Sequence, residues 1–242
     1  MYECSLNREP KPGPATAAPG RCLLNGMSRT AAPPAGTRRM QKQRTRRALL
    51  DAALRLLEHQ SLSSLGLREV TRAAGVAPTA FYRHFRSTAD LGVALVEEAL
   101  GGLHGMIAGI LAETGEDQDE ERIDRTVDLI ARHVRDHPAH VRFIIRERHG
   151  GVRLVREAIG AQLRRFAVEV AAEYAGHPST RGWGEDDLRM LGGLYVDQMV
   201  MTASAFLEAA EEAEPGAAAE RVASVARRRL RLINLGRRHW LD

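Results

Sequence analysis

The side chains best suited to chemistry lie in one short segment near the first third of the chain. Within six residues this segment carries a hydroxyl, a phenol, a guanidinium and an imidazole, on Thr79, Tyr82, Arg83 and His84. Such groups bind phosphate oxygens and reach the edges of bases. Because Phe81 and Phe85 are four residues apart, a helix would turn both of them inward and leave the polar groups outside. The pattern therefore predicts a short helix with a nucleic-acid-binding face.

The residues before this helix predict a helix-turn-helix. Leu67, Val70 and Ala74 are spaced to share one helix face. Gly75 follows, where a helix ends by turning into the left-handed region that a Cβ disfavours. Pro78 suits a first helical position because its missing N–H is not needed there. A helix-turn-helix places its second helix in the DNA major groove, although an ordinary helical hairpin has the same pattern.

The distribution of charge favours DNA over an ordinary hairpin. Residues 38–91 contain eleven Arg and Lys against four Asp and Glu, whereas residues 92–220 contain thirteen basic and twenty-four acidic residues. The net charge of +4 conceals this division. A basic region confined to the helix-turn-helix is typical of a phosphate-binding surface, and the acidic remainder should stand away from DNA.

Composition predicts an all-α protein of about nine helices. Ala, Leu, Arg and Glu dominate, and β-branched runs are scarce. No apolar run is long enough to span a membrane, so we expect no membrane partner. The only two cysteines, Cys4 and Cys22, predict no disulfide framework, and a cytoplasmic protein is expected.

The chain divides into three predicted regions. Residues 1–38 are rich in Pro, Ala, Gly and Thr and predict a disordered leader, either inert or a basic arm. Residues 39–89 predict the helix-turn-helix domain, and residues 90–242 a helical ligand-binding and dimerisation domain. The predicted helices run over about 40–58, 67–74, 78–85, 90–114, 122–136, 141–148, 152–175, 185–212 and 216–240.

Two stretches resemble the TetR family of transcriptional regulators. They are Thr45-Arg-Arg-Ala-Leu-Leu-Asp-Ala-Ala and Phe81-Tyr-Arg-His-Phe85, the latter followed by a polar turn and Leu91. The resemblance implies a non-enzymatic, homodimeric repressor that binds a palindromic double-stranded operator. The chain departs from the family's pattern at Thr88, where members often have a lysine, so that phosphate contact is in doubt or is supplied by Arg86.

The resemblance assigns DNA-binding roles to residues of this chain. Thr79 and Ala80 would contact base edges, and Tyr82 and His84 resemble the family's phosphate-contacting residues. Arg83 would bind guanine or a phosphate. The full predicted set is Thr45, Arg68, Ala77, Pro78, Thr79, Ala80, Tyr82, Arg83 and His84.

Three further segments resemble the branch of TetR repressors that controls fatty-acid desaturation and unsaturated fatty-acid synthesis. They are Leu67-Arg-Glu-Val, Ala77-Pro-Thr-Ala-Phe-Tyr-Arg-His-Phe-Arg86 and Phe143-Ile-Ile-Arg-Glu-Arg148. This implies a small-molecule effector such as acyl-CoA, no cofactor, and coupling through the helix that begins near Asp90. The predicted ligand-binding residues, each also credible as plain core, are Met106, Ile110, Ile130, Val134, Phe143, Phe166, Tyr195 and Met199.

Several alternatives remain open at this stage. His133, His137 and His140 could suggest a metal site, but His137-Pro138 should end their helix, so no metal is expected. The cluster Arg146–His149 could meet an anionic ligand group or form surface salt bridges. The pair Arg237-Arg238 is typical of a solvated last helix. Other functions include a TetR-type regulator of efflux, an architectural DNA binder without a cavity, and an all-helical enzyme, which no catalytic motif favours.

Overall fold

The computed structural model describes residues 35–111 and 119–241. These residues form ten α-helices, two short 3-10 turns and no strand, which confirms the predicted all-α class. The helices are α1 Ala35–Leu56, α2 Leu67–Ala73, α3 Pro78–Phe81, α4 Thr88–Gly101, α5 Leu103–Leu111, α6 Asp119–Asp136, α7 Pro138–Glu147, α8 Arg153–Ala175, α9 Glu185–Ala209 and α10 Pro215–Arg238, with the 3-10 turns at Leu62–Ser64 and Pro178–Thr180.

Several helix boundaries differ from the sequence prediction. The helix α3 ends at Phe81 rather than near Phe85, so Tyr82, Arg83 and His84 lie in the turn that follows it. The helix α6 begins at Asp119 rather than near Arg122, and α7 begins at Pro138 rather than near Val141. The first helix begins at Ala35 rather than Met40, and residues 1–34 of the predicted leader lie outside the described residues. The helix predicted over 90–114 is divided by Gly102, which ends α4. Two consecutive glycines lower helix propensity at this point, which accounts for the additional helix.

The turn between α2 and α3 has the geometry that the sequence predicts. Gly75 has a φ of 66°, in the left-handed region. Its N–H donates to the Arg72 carbonyl, and the Val76 N–H donates to the Thr71 carbonyl at 3.0 Å. This is the Schellman pattern of helix termination. Pro78 then occupies the first turn of α3, so the chain reverses direction and presents α3 next to α2.

The start of α4 is fixed by reciprocal hydrogen bonds. Ser87 precedes the helix, and its hydroxyl accepts a hydrogen bond from the Asp90 N–H at 3.1 Å. The Asp90 carboxylate in turn accepts from the Arg86 N–H at 2.9 Å. The first bond satisfies a backbone donor that the first turn of α4 cannot pair internally, and the second holds the residue before the N-cap against the same turn. They define where the helix-turn-helix ends and where the helix that enters the larger domain begins.

The larger domain is a bundle in which α8 and α9 approach each other closely. A Cβ placed on Gly192 of α9 would come within 2.2 Å of the Ala167 carbonyl oxygen of α8. Only glycine allows this approach, so any substitution there would separate the two helices. Buried side chains from α4, α6, α7, α8, α9 and α10 fill the remaining core.

One buried polar cluster ties the end of α10 to the start of α6. The Arg237 side chain, which the sequence suggested is solvated, is fully buried. It donates to Asp119 at 2.8 Å, and its guanidinium lies 4.7 Å from the centre of the Tyr174 ring. Burial of an arginine requires such partners. Arg237 therefore lies in the core of the bundle rather than on its surface.

Among the helices of residues 35–111 and 119–241, none combines the length and the apolar character that a bilayer-spanning helix requires.

Candidate nucleic-acid interface and ligand cavity

The helix α3 and the turn that follows it, residues 78–85, bury two phenylalanine side chains and expose most of their polar ones. Phe81 is fully buried and Phe85 is 3% exposed, and their ring centres lie 5.6 Å apart. Tyr82 is 64% exposed and packs edge-to-face on Phe81 at 5.8 Å between centroids. The Tyr82 ring therefore packs on Phe81, while most of the residue remains exposed to solvent. The predicted contact residues Ala77, Pro78, Thr79 and Arg83 are exposed, and Ala80 and His84 are half-buried.

Cations of α1 border this surface. The Arg46 guanidinium lies 5.2 Å from the centre of the Phe85 ring, a cation–π contact that links α1 to the end of the helix-turn-helix. Burial lowers the pKa of His84, and the nearby charges of Lys42, Arg46 and Arg83 lower it further. The field at His84 is thus positive, which favours a bound anion.

The other predicted DNA-binding residues have different environments. Arg68 is exposed on the first turn of α2. Thr45 is half-buried, and its hydroxyl donates to the Gln41 carbonyl one turn earlier in α1. The side chain of Thr45 therefore already has a partner within its own helix, whereas Arg68 points to solvent.

One arginine of α1 faces the larger domain instead of the basic surface. Arg47 binds Asp51 at 2.9 Å and Glu98 of α4 at 2.7 Å. It belongs to the basic stretch that the sequence groups with phosphate binding, yet its charge is matched by these two carboxylates. Arg47 therefore connects α1 to α4.

An apolar cavity lies among the helices α4 to α9, with a volume of about 130 Å³. Cavities of about this size can remain dry and bind small apolar molecules. Its polar contributors are Thr126, His133 and His140. The apolar lining residues are Ala99, Leu100, Leu103, Leu129, Ile130, Val134, Val141, Ile144, Ile145, Leu163, Phe166, Val196, Met199, Val200 and Ala203.

Four of the eight predicted ligand-binding residues line this cavity, namely Ile130, Val134, Phe166 and Met199. Phe143 is buried in the core and does not line it. Tyr195 stacks on Tyr174 at 5.3 Å and donates its hydroxyl to Asn234. Met106 is 41% exposed, and the Ile110 side chain lies outside the part that the structure describes. Position within a helix does not reveal which apolar side chains border a gap.

The residues that the sequence predicts for ligand binding do not include His133 and His140, which line the cavity. The sequence suggests these two histidines only as metal ligands, with His137 between them. Ring centroids of His133 and His137 are 5.0 Å apart, and those of His137 and His140 are 6.0 Å apart. In the described residues, no group of three or more His, Cys, Asp or Glu is placed to hold a metal ion. The sequence signal for their position at the cavity is that each histidine is flanked, at helical spacing, by apolar residues.

The last turn of α7 binds the helix-turn-helix domain. Arg146 donates to the carbonyls of Leu57 at 2.8 Å and Gln60 at 2.9 Å, just beyond the end of α1. The buried carboxylate of Glu147 accepts from the Leu62 N–H at 2.9 Å. A cation at the carbonyl end of one helix and a carboxylate at the amino end of the next are favourable placements. Within Arg146–His149, these two residues are structural contacts between the domains.

A comparison with known families agrees with this arrangement. Residues 49–95, which run from within α1 to within α4, match the family model of the bacterial regulatory proteins of the tetR family. These residues are therefore similar to the N-terminal domain of TetR-family regulators. The match contains the whole of α2 and α3 and the buried Phe81 and Phe85. It ends before most of the cavity begins, so the TetR-type match describes the first domain.

Solved structures extend the likeness to the larger domain. The fatty acid degradation regulator FadR from Bacillus halodurans has a TM-score of 0.59 at 14% identity, covering 76% of this chain and 94% of that one. FadR from Bacillus subtilis, solved in complex with stearoyl-CoA, has a TM-score of 0.58 at 13% identity, with 74% and 96% covered. NalD, the secondary repressor of the MexAB-OprM multidrug efflux pump in Pseudomonas aeruginosa, has a TM-score of 0.54 at 19% identity, with 78% and 96% covered. At these identities the likeness is one of fold.

Proposed function

We propose that the protein is a homodimeric, ligand-responsive transcriptional repressor that binds a palindromic operator in the cytoplasm. The observation that carries this proposal is the exposed polar surface of α3 and of the turn after it, supported by Phe81 and Phe85 and bordered by cations of α1. Such a face fits the recognition helix of a helix-turn-helix. An enzymatic role has no comparable support, because the polar groups of α3 are arranged on an open surface rather than in a cleft.

We assign the DNA contacts by their position on α3 and α2. Thr79 and Ala80, in the first turn of α3, would contact bases, the former by a hydrogen bond or its methyl group. Tyr82 and His84 would bind phosphates, as would Arg83 unless it reaches a guanine. Arg68 would bind the backbone from the start of α2. The Thr45 hydroxyl already donates its proton to Gln41, so Thr45 would contact DNA only by accepting a hydrogen bond.

The DNA-binding proposal is tested by titrating the protein with fragments of its own promoter region. We expect a retarded complex with a pseudo-palindromic fragment, and an affinity that falls steeply as salt rises. A scrambled fragment of equal length is the control. Equal binding to both fragments would contradict a sequence-specific regulator and favour an architectural DNA binder.

The homodimer proposal is supported by an apolar stripe on the last two helices. Leu194 and Met201 of α9 are about half-exposed and are seven residues apart, and Leu232 of α10 is 70% exposed. By contrast Leu191 and Phe206 of α9 are buried within their own domain. Exposed apolar side chains in rows indicate an interface. A second copy of the chain is the occupant that twofold operator recognition requires.

Sedimentation velocity at micromolar concentration tests the dimer. We expect a species of twice the chain mass, and a shift to monomer for the double variant Leu194→Glu, Leu232→Glu. The matched control is Leu154→Glu, because Leu154 is half-exposed but lies on α8. A wild-type chain that sediments only as a monomer would overturn the proposal.

The effector that we propose is elongated and apolar, with a long-chain acyl thioester as the leading candidate. The cavity supports an apolar ligand, and the FadR neighbours, one of them in complex with stearoyl-CoA, support the acyl chain. A regulator of efflux that senses another apolar molecule is the second candidate, favoured by the likeness to NalD. Operator titration with saturated and unsaturated acyl-CoA separates them, because only the first candidate predicts a change.

Coupling between the cavity and DNA requires an element that contacts both. Ile144 and Ile145 of α7 line the cavity, and the next two residues, Arg146 and Glu147, hold the helix-turn-helix domain. The helix α4, expected from the sequence to be the relay, also lines the cavity. A ligand that shifts α7 or α4 would change the orientation of α3. The ligand raises operator affinity if it binds more tightly to the DNA-binding orientation of the protein, and lowers it if it binds more tightly to the other orientation.

A further inference from the structure

The apolar cavity has few groups that can form a hydrogen bond with a ligand. Thr126 already donates its hydroxyl proton to the Arg122 carbonyl at 2.8 Å. The other polar members of the lining are His133 on α6 and His140 on α7. Any ligand group that needs a hydrogen-bond donor must therefore use one of these two imidazoles.

One ring nitrogen of His140 lacks a well-formed hydrogen bond. Its Nε2 is buried and finds no hydrogen-bond partner among the described residues. The nearest carboxylate oxygen, Oε1 of Glu98, is 3.4 Å away and is held at 2.7 Å by Arg47. A buried polar atom without a partner costs about 1–3 kcal/mol. Such an atom next to a cavity is suited to binding a ligand.

The charges around His140 argue against an anionic group at this position. Burial lowers the pKa of both His133 and His140, and the neighbouring His137 lowers each of them further. For His140 the carboxylate of Glu98 opposes this shift, and the charge of Arg47 adds to it; for His133 the carboxylate of Asp136 opposes it. Both rings are thus neutral at and above neutral pH. Burying a carboxylate against neutral groups is costly, whereas burying a carbonyl that gains a hydrogen bond is not.

We propose that the cavity takes ligands that join an apolar chain to one uncharged hydrogen-bonding group, a carbonyl or a hydroxyl, and that His140 binds this group. The inference rests on the proposed effector function and specifies the chemistry of the same site. His140 keeps the Nε2 proton and donates it to the ligand oxygen, while Glu98 remains paired with Arg47. Free carboxylates of equal chain length should bind more weakly because of the same arrangement.

The experiment compares decanoic acid with N-methyldecanamide by calorimetric titration at pH 8, where the acid is ionised and the histidines are neutral. We expect the amide to bind at least about tenfold more tightly than the acid. His140→Leu should lower the affinity for the amide by about tenfold, which corresponds to one hydrogen bond of about 1.4 kcal/mol, and should leave the acid little changed. His140→Gln retains an N–H donor and should recover part of the preference.

The control is Met199→Leu, which alters an apolar part of the lining and should change the two affinities by the same factor. Equal affinity of wild-type protein for acid and amide would overturn the inference, as would an equal loss for both in His140→Leu. If neither probe binds to the wild-type protein, the proposed effector site itself fails. If both bind without a preference, the effector site stands and only the assignment of His140 falls. Circular dichroism of each variant verifies that it is folded.

Discussion

The face of α3 and the cavity are built in opposite ways. On α3 the groups that would meet a ligand are polar and exposed, and the aromatic rings of Phe81 and Phe85 beneath them only hold the helix in place. In the cavity the groups that would meet a ligand are the buried apolar side chains themselves. On α3 the function therefore depends on the type of each exposed residue. In the cavity it depends on the space that the side chains of six helices leave between them.

This difference determines how each region tolerates substitution. Removing an exposed side chain from α3 leaves the fold intact and removes one contact. A change in the cavity lining alters the core and the site together, because the same atoms serve both. The two regions also differ in charge, since α1 to α3 carry the basic excess and the helices around the cavity the acidic one. This comparison can be tested with variants that change either a buried residue that holds α3 in place or an exposed residue that would contact DNA.

The largest effect is expected from Phe81→Ala. Phe81 is fully buried and contacts both Tyr82 and Phe85, so its removal should lower the free energy of unfolding by about 3–5 kcal/mol. Operator binding should be lost with it. The matched control is Tyr82→Ala on the adjacent exposed position, which should change the free energy of unfolding much less. Denaturant titration of both variants measures the difference, and equal losses would contradict the division between support and contact.

The same contrast explains what the sequence could predict. The helix-turn-helix follows from local chemistry: Gly75 supplies a positive φ, Pro78 begins a helix, and the spacing of Phe81 and Phe85 fixes its inner face. The family match over residues 49–95 agrees with this part. Each of these signals lies within a few residues of the feature that it determines.

The cavity could be predicted only in part because it depends on distant contacts. Ile130 and Phe166 line it, but Tyr195, predicted with them, does not line it and donates its hydroxyl to Asn234 of α10. The sequence places Arg237 at a charged helix end, but Asp119, more than a hundred residues earlier in the chain, binds it in the core. Helical periodicity identifies the inner face of a helix. It does not identify which neighbour fills that face.

The second prediction separates base contacts from phosphate contacts on α3. Thr79→Ala should change the preference at one base pair per half-site, with a loss of discrimination of about 1–3 kcal/mol. Tyr82→Phe should weaken binding to all fragments alike, because phosphate contacts do not depend on sequence. Binding measured against a library of single-base operator variants distinguishes the two patterns. An unchanged profile for Thr79→Ala would remove Thr79 from the base-contacting set.

The third prediction concerns the connection between the two regions. Arg146→Ala removes the bonds to the Leu57 and Gln60 carbonyls, and should weaken the effect of palmitoyl-CoA or oleoyl-CoA on operator affinity by about 1 kcal/mol. Affinity for the acyl-CoA alone should change little, because Arg146 does not line the cavity. The control is Arg142→Ala, whose partner is the exposed Glu211 at 2.8 Å. Equal coupling in both variants would exclude this contact as a relay.

The smallest effect is expected from acid, and it should arise at the cavity. Burial lowers the pKa of His133, so the unfolded chain binds a proton near the ordinary histidine pKa of about 6.5 while the folded chain binds it only at lower pH. The unfolded state thus holds more protons in this interval, and the free energy of unfolding must fall as pH decreases from 7 through the lowered pKa. His133→Gln should flatten this part of the stability curve, whereas His149→Gln, at an exposed position, should not. Because His133 is only half-buried, solvent screening keeps the difference small. Thermal unfolding between pH 7 and 5 measures it, and parallel curves for wild type and His133→Gln would show that the cavity histidine does not contribute.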